Sequence, residues 1–133
     1  MNNGDISAVE LAKALGLPEP TPEQQEVIES APGPAVVIAG AGSGKTETMA
    51  ARVVWLVANG HVRADEVLGL TFTRKAAAEL SSRVRRRLAA WARYETPERR
   101  AAMGEDPTVL TYAAYASQLV ADHGLRIGAE PFV

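Results

Sequence analysis

The fold is decided by residues 35–46, which read Ala35-Val36-Val37-Ile38-Ala39-Gly40-Ala41-Gly42-Ser43-Gly44-Lys45-Thr46. Residues 35–39 are an apolar run without alternation, which is typical of a parallel strand buried on both faces. A glycine-rich turn follows, and a helical pattern then continues to Ala58. A strand, a glycine-rich turn and a helix in this order are the context that a phosphate-binding loop requires.

Residues 39–46 fit the phosphate-loop pattern, except that the first position is alanine rather than glycine. The glycines let successive backbone N–H groups turn inward around phosphates, and the start of the helix adds unpaired donors. Lys45, the predicted catalytic residue, would reach the β- and γ-phosphates, and the Thr46 hydroxyl would ligate Mg²⁺. The residues predicted here to contact a nucleotide are Gly40, Ala41, Gly42, Ser43, Gly44, Lys45, Thr46 and Glu47.

Further strands and helices alternate after this loop. Strands are predicted at 67–71 and 108–111, and helices at 74–93 and from 112 to 123, the last ending at Gly124. Residues 96–106 are polar and are interpreted as a loop with room for one helical turn. Ahead of the loop, two short helices are predicted to begin at Ser7 and Thr21. Alternating strands and helices indicate an α/β fold with a parallel sheet flanked by helices.

Composition limits the function classes. The 133 residues suit one domain, and the absence of cysteine excludes disulfides and thiolate metal sites. No apolar run reaches the length of a membrane span and no secretory signal is visible, so a cytoplasmic protein is expected. The net charge is −2, yet residues 74–100 hold nine bases and three acids, a local net charge of +6.

Residues 21–25, Thr-Pro-Glu-Gln-Gln, resemble the Q motif of UvrD/Rep-type superfamily 1 helicases. In that family a glutamine ahead of the phosphate loop reads the adenine edge, and a carboxamide can pair with adenine N6 and N7. The local pattern alone favours another role, in which Thr21 and Gln24 form a capping box that closes their own helix. With the phosphate loop downstream, the resemblance favours Gln24 as a nucleotide contact.

Residues 70–80, Leu-Thr-Phe-Thr-Arg-Lys-Ala-Ala-Ala-Glu-Leu, resemble motif Ia of the same family, a loop that touches single-stranded DNA. The resemblance implies DNA contacts from Thr71, Phe72, Thr73 and Arg74, the last replacing the usual asparagine. Without the resemblance, a core Phe72 and a Thr73 that caps the next helix are an equally good interpretation.

Residues 111–116, Thr-Tyr-Ala-Ala-Tyr-Ala, resemble another DNA-contacting motif, with Ala113 where the family has histidine. Tyr112 is the stacking candidate that remains, although an aromatic residue at a strand end is more often part of the core. The sequence that follows, residues 115–125, is most similar to the RecB-like or AdnAB-like branch found in actinobacteria.

Other charged and polar groups are interpreted structurally. The arginines at 83, 85, 86 and 87 fall on a helix whose other face is apolar, so a solvated face is the simpler interpretation and DNA contact the alternative. His61 and His123 lack the spacing of metal ligands. The acidic pairs at 65–66 and 105–106 precede their strands, which is the wrong end of a parallel sheet for holding Mg²⁺.

The resemblance implies a partial RecA-like P-loop domain, helicase subdomain 1A, truncated before the strand of the acidic motif II. Residues 1–20 are interpreted as an N-terminal helix and linker, and residues 21–133 as the first part of the ATP-binding domain. The implied parent is an ATP- and Mg²⁺-dependent 3′→5′ single-stranded DNA translocase or helicase in repair or recombination, and the fragment is expected not to hydrolyse ATP.

The partners implied are single-stranded DNA or duplex–single-strand junctions, a partner helicase or nuclease subunit, and another copy of the fragment. Two other classes stay open. A small-molecule kinase would make motif Ia a coincidence, and a non-catalytic nucleotide- or DNA-binding module would retain the loop without the motor function.

Overall fold

The computed structural model describes residues 4–30, 36–38 and 43–127. Three strands form one parallel sheet in the order β1 (Val36–Ile38), β2 (Leu68–Thr71) and β3 (Thr108–Thr111). Val36 is in register with Leu68, and Leu68 with Thr108. The predicted α/β fold with a parallel sheet is therefore confirmed.

Each strand is followed by a helix. The helix α3 (Ser43–Ala58) follows β1, α4 (Arg74–Ala92) follows β2, and α6 (Tyr112–Ile127) follows β3. A short 3₁₀ helix, Ala64–Glu66, leads into β2, and α5 (Pro97–Ala102) lies between α4 and β3. The segment interpreted as a loop thus contains α5, because Thr96 accepts a hydrogen bond from the Arg99 N–H and Pro97 takes the first helical position.

The predicted end of α6 at Gly124 is wrong. The helix continues through that glycine to Ile127. Glycine inside a helix costs roughly 1 kcal/mol relative to alanine, which need not stop a helix on its own. The predicted strand residues Ala35 and Ala39 lie outside the described residues.

Two short helices precede the sheet. The helix α1 (Ala8–Ala14) begins with the Ser7 hydroxyl accepting a hydrogen bond from the Glu10 N–H, and Gly16 follows with a positive φ of 69°. The helix α2 (Pro22–Ile28) begins at Thr21. Both starts agree with the predicted caps.

One hydrophobic core joins these elements. Its largest fully buried side chains are on α2, α3 and α4 and include Ile28, Trp55, Leu80 and Val84. From α1, Ala8 and Leu11 belong to the same cluster. The helix α4 packs against α3 and against strands β2 and β3, so it connects α3 with the sheet.

Candidate nucleotide and nucleic-acid site

The predicted site segments lie at one edge of the sheet. Because β1, β2 and β3 run parallel, their carboxyl ends point the same way, and that edge is where open α/β sheets bind ligands. Three predicted site segments follow strands that end at this edge: α3 begins at Ser43 after β1, the loop of Phe72 and Thr73 follows β2, and Tyr112 follows β3.

The phosphate segment is described from the start of its helix. The backbone of Ser43, Gly44 and Lys45 forms the first turn of α3, and Thr46 follows as a buried residue. Gly40, Ala41 and Gly42 lie outside the described residues. A 16-residue helix that begins at the carboxyl edge of a parallel sheet suits phosphate binding, since its first N–H groups have no partner within the helix.

Glu47, predicted to contact the nucleotide, has its carboxylate bound to α4. Arg87 Nη1 lies 2.7 Å from Glu47 Oε2 and Arg87 Nη2 lies 2.8 Å from Oε1, while Arg83 Nη1 lies 3.3 Å from Oε1. The interpretation of the arginine run as a solvated face is therefore wrong for Arg83 and Arg87. It holds for Arg85 and Arg86, which are exposed.

Gln24 caps its own helix. Its Oε1 accepts a hydrogen bond from the Thr21 N–H at 2.9 Å, and Thr21 Oγ1 accepts one from the Gln24 N–H at 3.2 Å. Both halves of the capping box are present. Within the described part of the chain, no hydrogen bond from Gln24 Nε2 is found, and the carbonyl oxygen has a second lone pair. Capping and an adenine contact are therefore compatible.

A cavity of about 280 Å³ lies beside α3, between this helix and the N-terminal segment. Gln24 lines it together with Glu47, Thr48 and Arg87. Its remaining lining is largely apolar and comes from α1, α2, α3 and the linker at 17–20. A largely apolar cavity lined by a few polar groups is typical of small-molecule sites.

The loop after β2 presents an exposed aromatic side chain. Phe72 is 65% exposed and its ring centroid lies 5.0 Å from that of Tyr112, with the ring planes tilted by 38°. The alternative interpretation of Phe72 as a core residue is therefore wrong. A large apolar ring exposed next to a second aromatic ring is the arrangement on which nucleic-acid bases stack.

Thr71 and Thr73 hold this loop in shape. The buried Thr71 donates its hydroxyl to the Thr73 carbonyl oxygen at 3.1 Å, and Thr73 Oγ1 accepts a hydrogen bond from the Ala76 N–H at 3.0 Å. The predicted cap at Thr73 is confirmed. Arg74 is exposed in the first turn of α4, whereas the Thr71 side chain is turned away from solvent.

The acidic pairs lie at the opposite edge. Asp65 and Glu66 end the turn before β2, and Glu105 and Asp106 precede β3. Asp65 binds Arg63 through both carboxylate oxygens, and this hydrogen bond lowers the pKa of the Asp65 carboxyl. Among the described residues, no group of three or more acidic or histidine side chains could hold a metal ion.

His61 has a structural partner that the sequence did not indicate. Its Nε2 lies 2.7 Å from Asp5 Oδ2, and its ring lies beside that of Trp55. The Trp55 indole in turn donates to the Ile6 carbonyl oxygen at 2.8 Å. These contacts attach the N-terminal segment to the end of α3, so the described histidine is used for packing.

No helix within residues 4–30 and 43–127 combines the length and the apolar character that crossing a membrane requires.

Curated relatives match about half of this chain. UvrD2 of Mycobacterium tuberculosis, named an ATP-dependent DNA helicase, is 51% identical over 63 residues, which is 47% of this chain and 9% of the relative. PcrA of Bacillus subtilis is 46% identical over 63 residues, 47% of this chain and 8% of the relative. DNA helicase IV of Escherichia coli is 43% identical over 67 residues, 50% of this chain and 10% of the relative. The matched segment thus spans about a tenth of the length of these relatives.

A family profile extends the match over most of the chain. The profile of the UvrD/REP helicase N-terminal domain covers residues 20–132. This range includes Gln24, the phosphate segment, the exposed Phe72 and Tyr112, and excludes α1. The chain therefore belongs to the UvrD/REP helicase N-terminal domain family.

Proposed function

We propose that this chain is the ATP-binding part of an ATP-driven single-stranded DNA translocase or helicase. The observation that carries the proposal is that the start of α3 and the Phe72–Tyr112 pair follow the carboxyl ends of strands in one parallel sheet. Membership of the UvrD/REP family supports it, and the matched relatives are named as DNA helicases. A 3′→5′ direction and a role in repair or recombination are part of the proposal.

The nucleotide would be held by the start of α3. The backbone N–H groups of residues 40–46 and the Lys45 ammonium would bind the phosphates, and the Thr46 hydroxyl would hold Mg²⁺. Gln24 and the cavity beside it would receive the adenine. Mg²⁺ would neutralise charge that develops on the phosphates during hydrolysis.

The nucleic acid would lie on the motif Ia loop. The Phe72 ring offers a face for a base, with Tyr112 supporting it from behind, and Thr73 and Arg74 would contact phosphates. Thr71 would stabilise the loop through the hydrogen bond that its hydroxyl donates to the Thr73 carbonyl oxygen. DNA bound at the first turn of α4 would lie at the end of β2, and the nucleotide would lie at the end of the neighbouring strand β1. Binding of either ligand can then affect the affinity for the other.

We propose in addition that residues 1–133 bind nucleotide without hydrolysing it. The acidic pairs in the described residues lie at the sheet edge opposite the phosphate segment, so they are not placed to hold Mg²⁺ or to orient water. A partner subunit, duplex–single-strand junctions as substrate, and self-association of this chain are further parts of the proposal.

Paired binding measurements test the proposal. With Mg-nucleotide, Lys45→Ala should remove most of the binding, because the ammonium is the main cationic partner of the phosphates. With a fluorescent single strand, Phe72→Ala should weaken binding by about 1–3 kcal/mol, the usual effect of losing one stacking aromatic. Tyr94→Ala is the matched control, since Tyr94 is 63% exposed but lies at the far end of α4.

The outcomes separate the alternatives. Nucleotide binding without DNA binding would favour a nucleotide-binding module. DNA binding that is unchanged by Lys45→Ala and by added nucleotide would favour a non-catalytic DNA-binding module. Hydrolysis of ATP by residues 1–133, stimulated by single-stranded DNA and lost in Lys45→Ala, would contradict the proposal that these residues bind nucleotide without hydrolysing it.

A further inference from the structure

We infer that Arg87, assisted by Arg83, is a positioning residue of the nucleotide site, which holds and neutralises the Glu47 carboxylate beside the polyphosphate. The inference rests on the proposed nucleotide function and assigns part of that site to α4, a helix that follows a different strand. Three observations carry it: the place of Glu47, the geometry of its contacts, and the charge balance of the group.

Glu47 occupies a position that is unfavourable for anion binding. It directly follows Thr46, within the first turns of the helix whose start would receive the phosphates. A carboxylate near a helix N-terminus stabilises that helix, but it also competes with a bound anion for the same positive end. An unpaired Glu47 would therefore repel the nucleotide that the loop binds.

The contacts of Glu47 answer this problem. Arg87 binds both carboxylate oxygens, at 2.7 and 2.8 Å, and Arg83 adds a third contact at 3.3 Å. The Arg87 side chain is only 13% exposed, compared with 27% for Arg83, so solvent screens the Arg87 contact less. A planar guanidinium that binds both oxygens fixes the direction of the carboxylate as well as its charge.

The charge balance of the group favours the nucleotide. Two guanidinium groups face one carboxylate, so the cluster of Glu47, Arg83 and Arg87 carries a net charge of +1. Glu47 and Arg87 also line the cavity that contains Gln24. The cluster thus borders the cavity proposed for the base, on the helix whose start would receive the phosphates. It converts an acidic position into a weakly cationic one.

Nucleotide affinity in four forms of the full chain tests this assignment: wild type, Arg87→Gln, Glu47→Gln and the double variant. Arg87→Gln should weaken Mg-ATP binding by about tenfold, because the freed carboxylate opposes the phosphates. Glu47→Gln should tighten it slightly. The double variant should recover most of the loss, since the repelling charge is gone.

The charge of the ligand gives a second readout. The loss in Arg87→Gln should be largest for ATP, smaller for ADP and least for AMP, and should shrink as salt is raised. A role in packing alone would not follow the number of phosphates. Arg85→Gln is the matched control, since Arg85 lies on the exposed side of the same helix and should change none of these affinities.

Opposite results would overturn the inference. If Arg87→Gln and Glu47→Gln weaken binding equally and the double variant does not recover, the pair only stabilises the fold. If Arg87→Gln fails to fold, Arg87→Lys takes its place as the test variant, because lysine keeps the positive charge. A loss of affinity for ATP in Arg87→Lys that equals its loss of affinity for AMP then refutes the assignment. Wild-type binding that is absent, or that survives Lys45→Ala, would instead refute the proposed function and this inference together.

Discussion

At the scale of single residues, Gln24 combines a capping contact with a place at the candidate nucleotide site. It caps α2 through its carbonyl oxygen, yet the same carboxamide lines the cavity beside α3. A test must therefore remove one role and keep the other. Glutamate at this position retains an oxygen for the Thr21 N–H and lacks the amide donor for adenine N7.

Gln24→Glu should consequently preserve the fold and weaken the binding of ATP, because adenine N7 loses its hydrogen-bond donor. The net contribution of one such hydrogen bond, about 0.5–1.5 kcal/mol, sets the size of the expected loss. The affinity for Mg-ATP measures the loss, and thermal unfolding checks the cap. Gln24→Ala is the comparison, because it removes the capping oxygen too and should lower the unfolding temperature. An unchanged affinity for Mg-ATP in Gln24→Glu would leave Gln24 with the cap alone.

At the scale of elements, α4 separates two kinds of arginine that the sequence presents as one run. Arg83 and Arg87 face α3 and bind Glu47, whereas Arg85 and Arg86 face solvent. Within the described residues, Arg85 and Arg86 have no acidic partner; Arg86 contacts the Ser82 carbonyl oxygen at 3.4 Å. We therefore interpret them as a solvated face.

Replacing Arg85 and Arg86 together by glutamine should leave stability within about 0.5 kcal/mol of wild type, as for other exposed positions. The salt dependence of single-strand binding should also stay the same. If these arginines contacted phosphates, the slope of log affinity against log salt would fall by about 0.7 for each one. A titration at several salt concentrations distinguishes the two cases, with Arg74→Gln as the variant expected to reduce the slope.

The strand and helix pattern of this chain was largely predictable, and its long-range contacts were not. Apolar runs predicted all three strands, and hydroxyl caps predicted the starts of α1, α2 and α4, because these signals are local. The Glu47–Arg87 pair joins residues 40 apart, and helical periodicity does not reveal which helix packs opposite. The extension of α6 past Gly124 was missed because a glycine permits a helix end without requiring one.

At the scale of the whole molecule, α1 is part of the core although the family match begins at residue 20. Leu11 is 4% exposed. The Glu29 carboxylate accepts hydrogen bonds from the Ala8 N–H at 2.8 Å and from Gln25 Nε2 at 2.9 Å. The N-terminal segment and the sheet-bearing part therefore share buried surface and a carboxylate that would be left partly unsatisfied if they separated.

Leu11→Ala should destabilise the whole chain by about 2–5 kcal/mol, the usual range for such a truncation in a core. Denaturant unfolding should remain a single transition in which signals from the N-terminal segment and the sheet change together. Lys13→Ala, on the exposed side of the same helix, is the control and should have little effect. A separate early transition of α1 would show that it is an independent appendage.

The contact between Phe72 and Tyr112 restricts the route of a bound strand. With centroids 5.0 Å apart and planes tilted by 38°, the two rings already touch, so no base fits between them. The 65% exposure of Phe72 leaves its outward surface for stacking. A bound strand would then cross the edge of the sheet with a single base stacked on Phe72. It would dissociate without breaking the contact between the two rings.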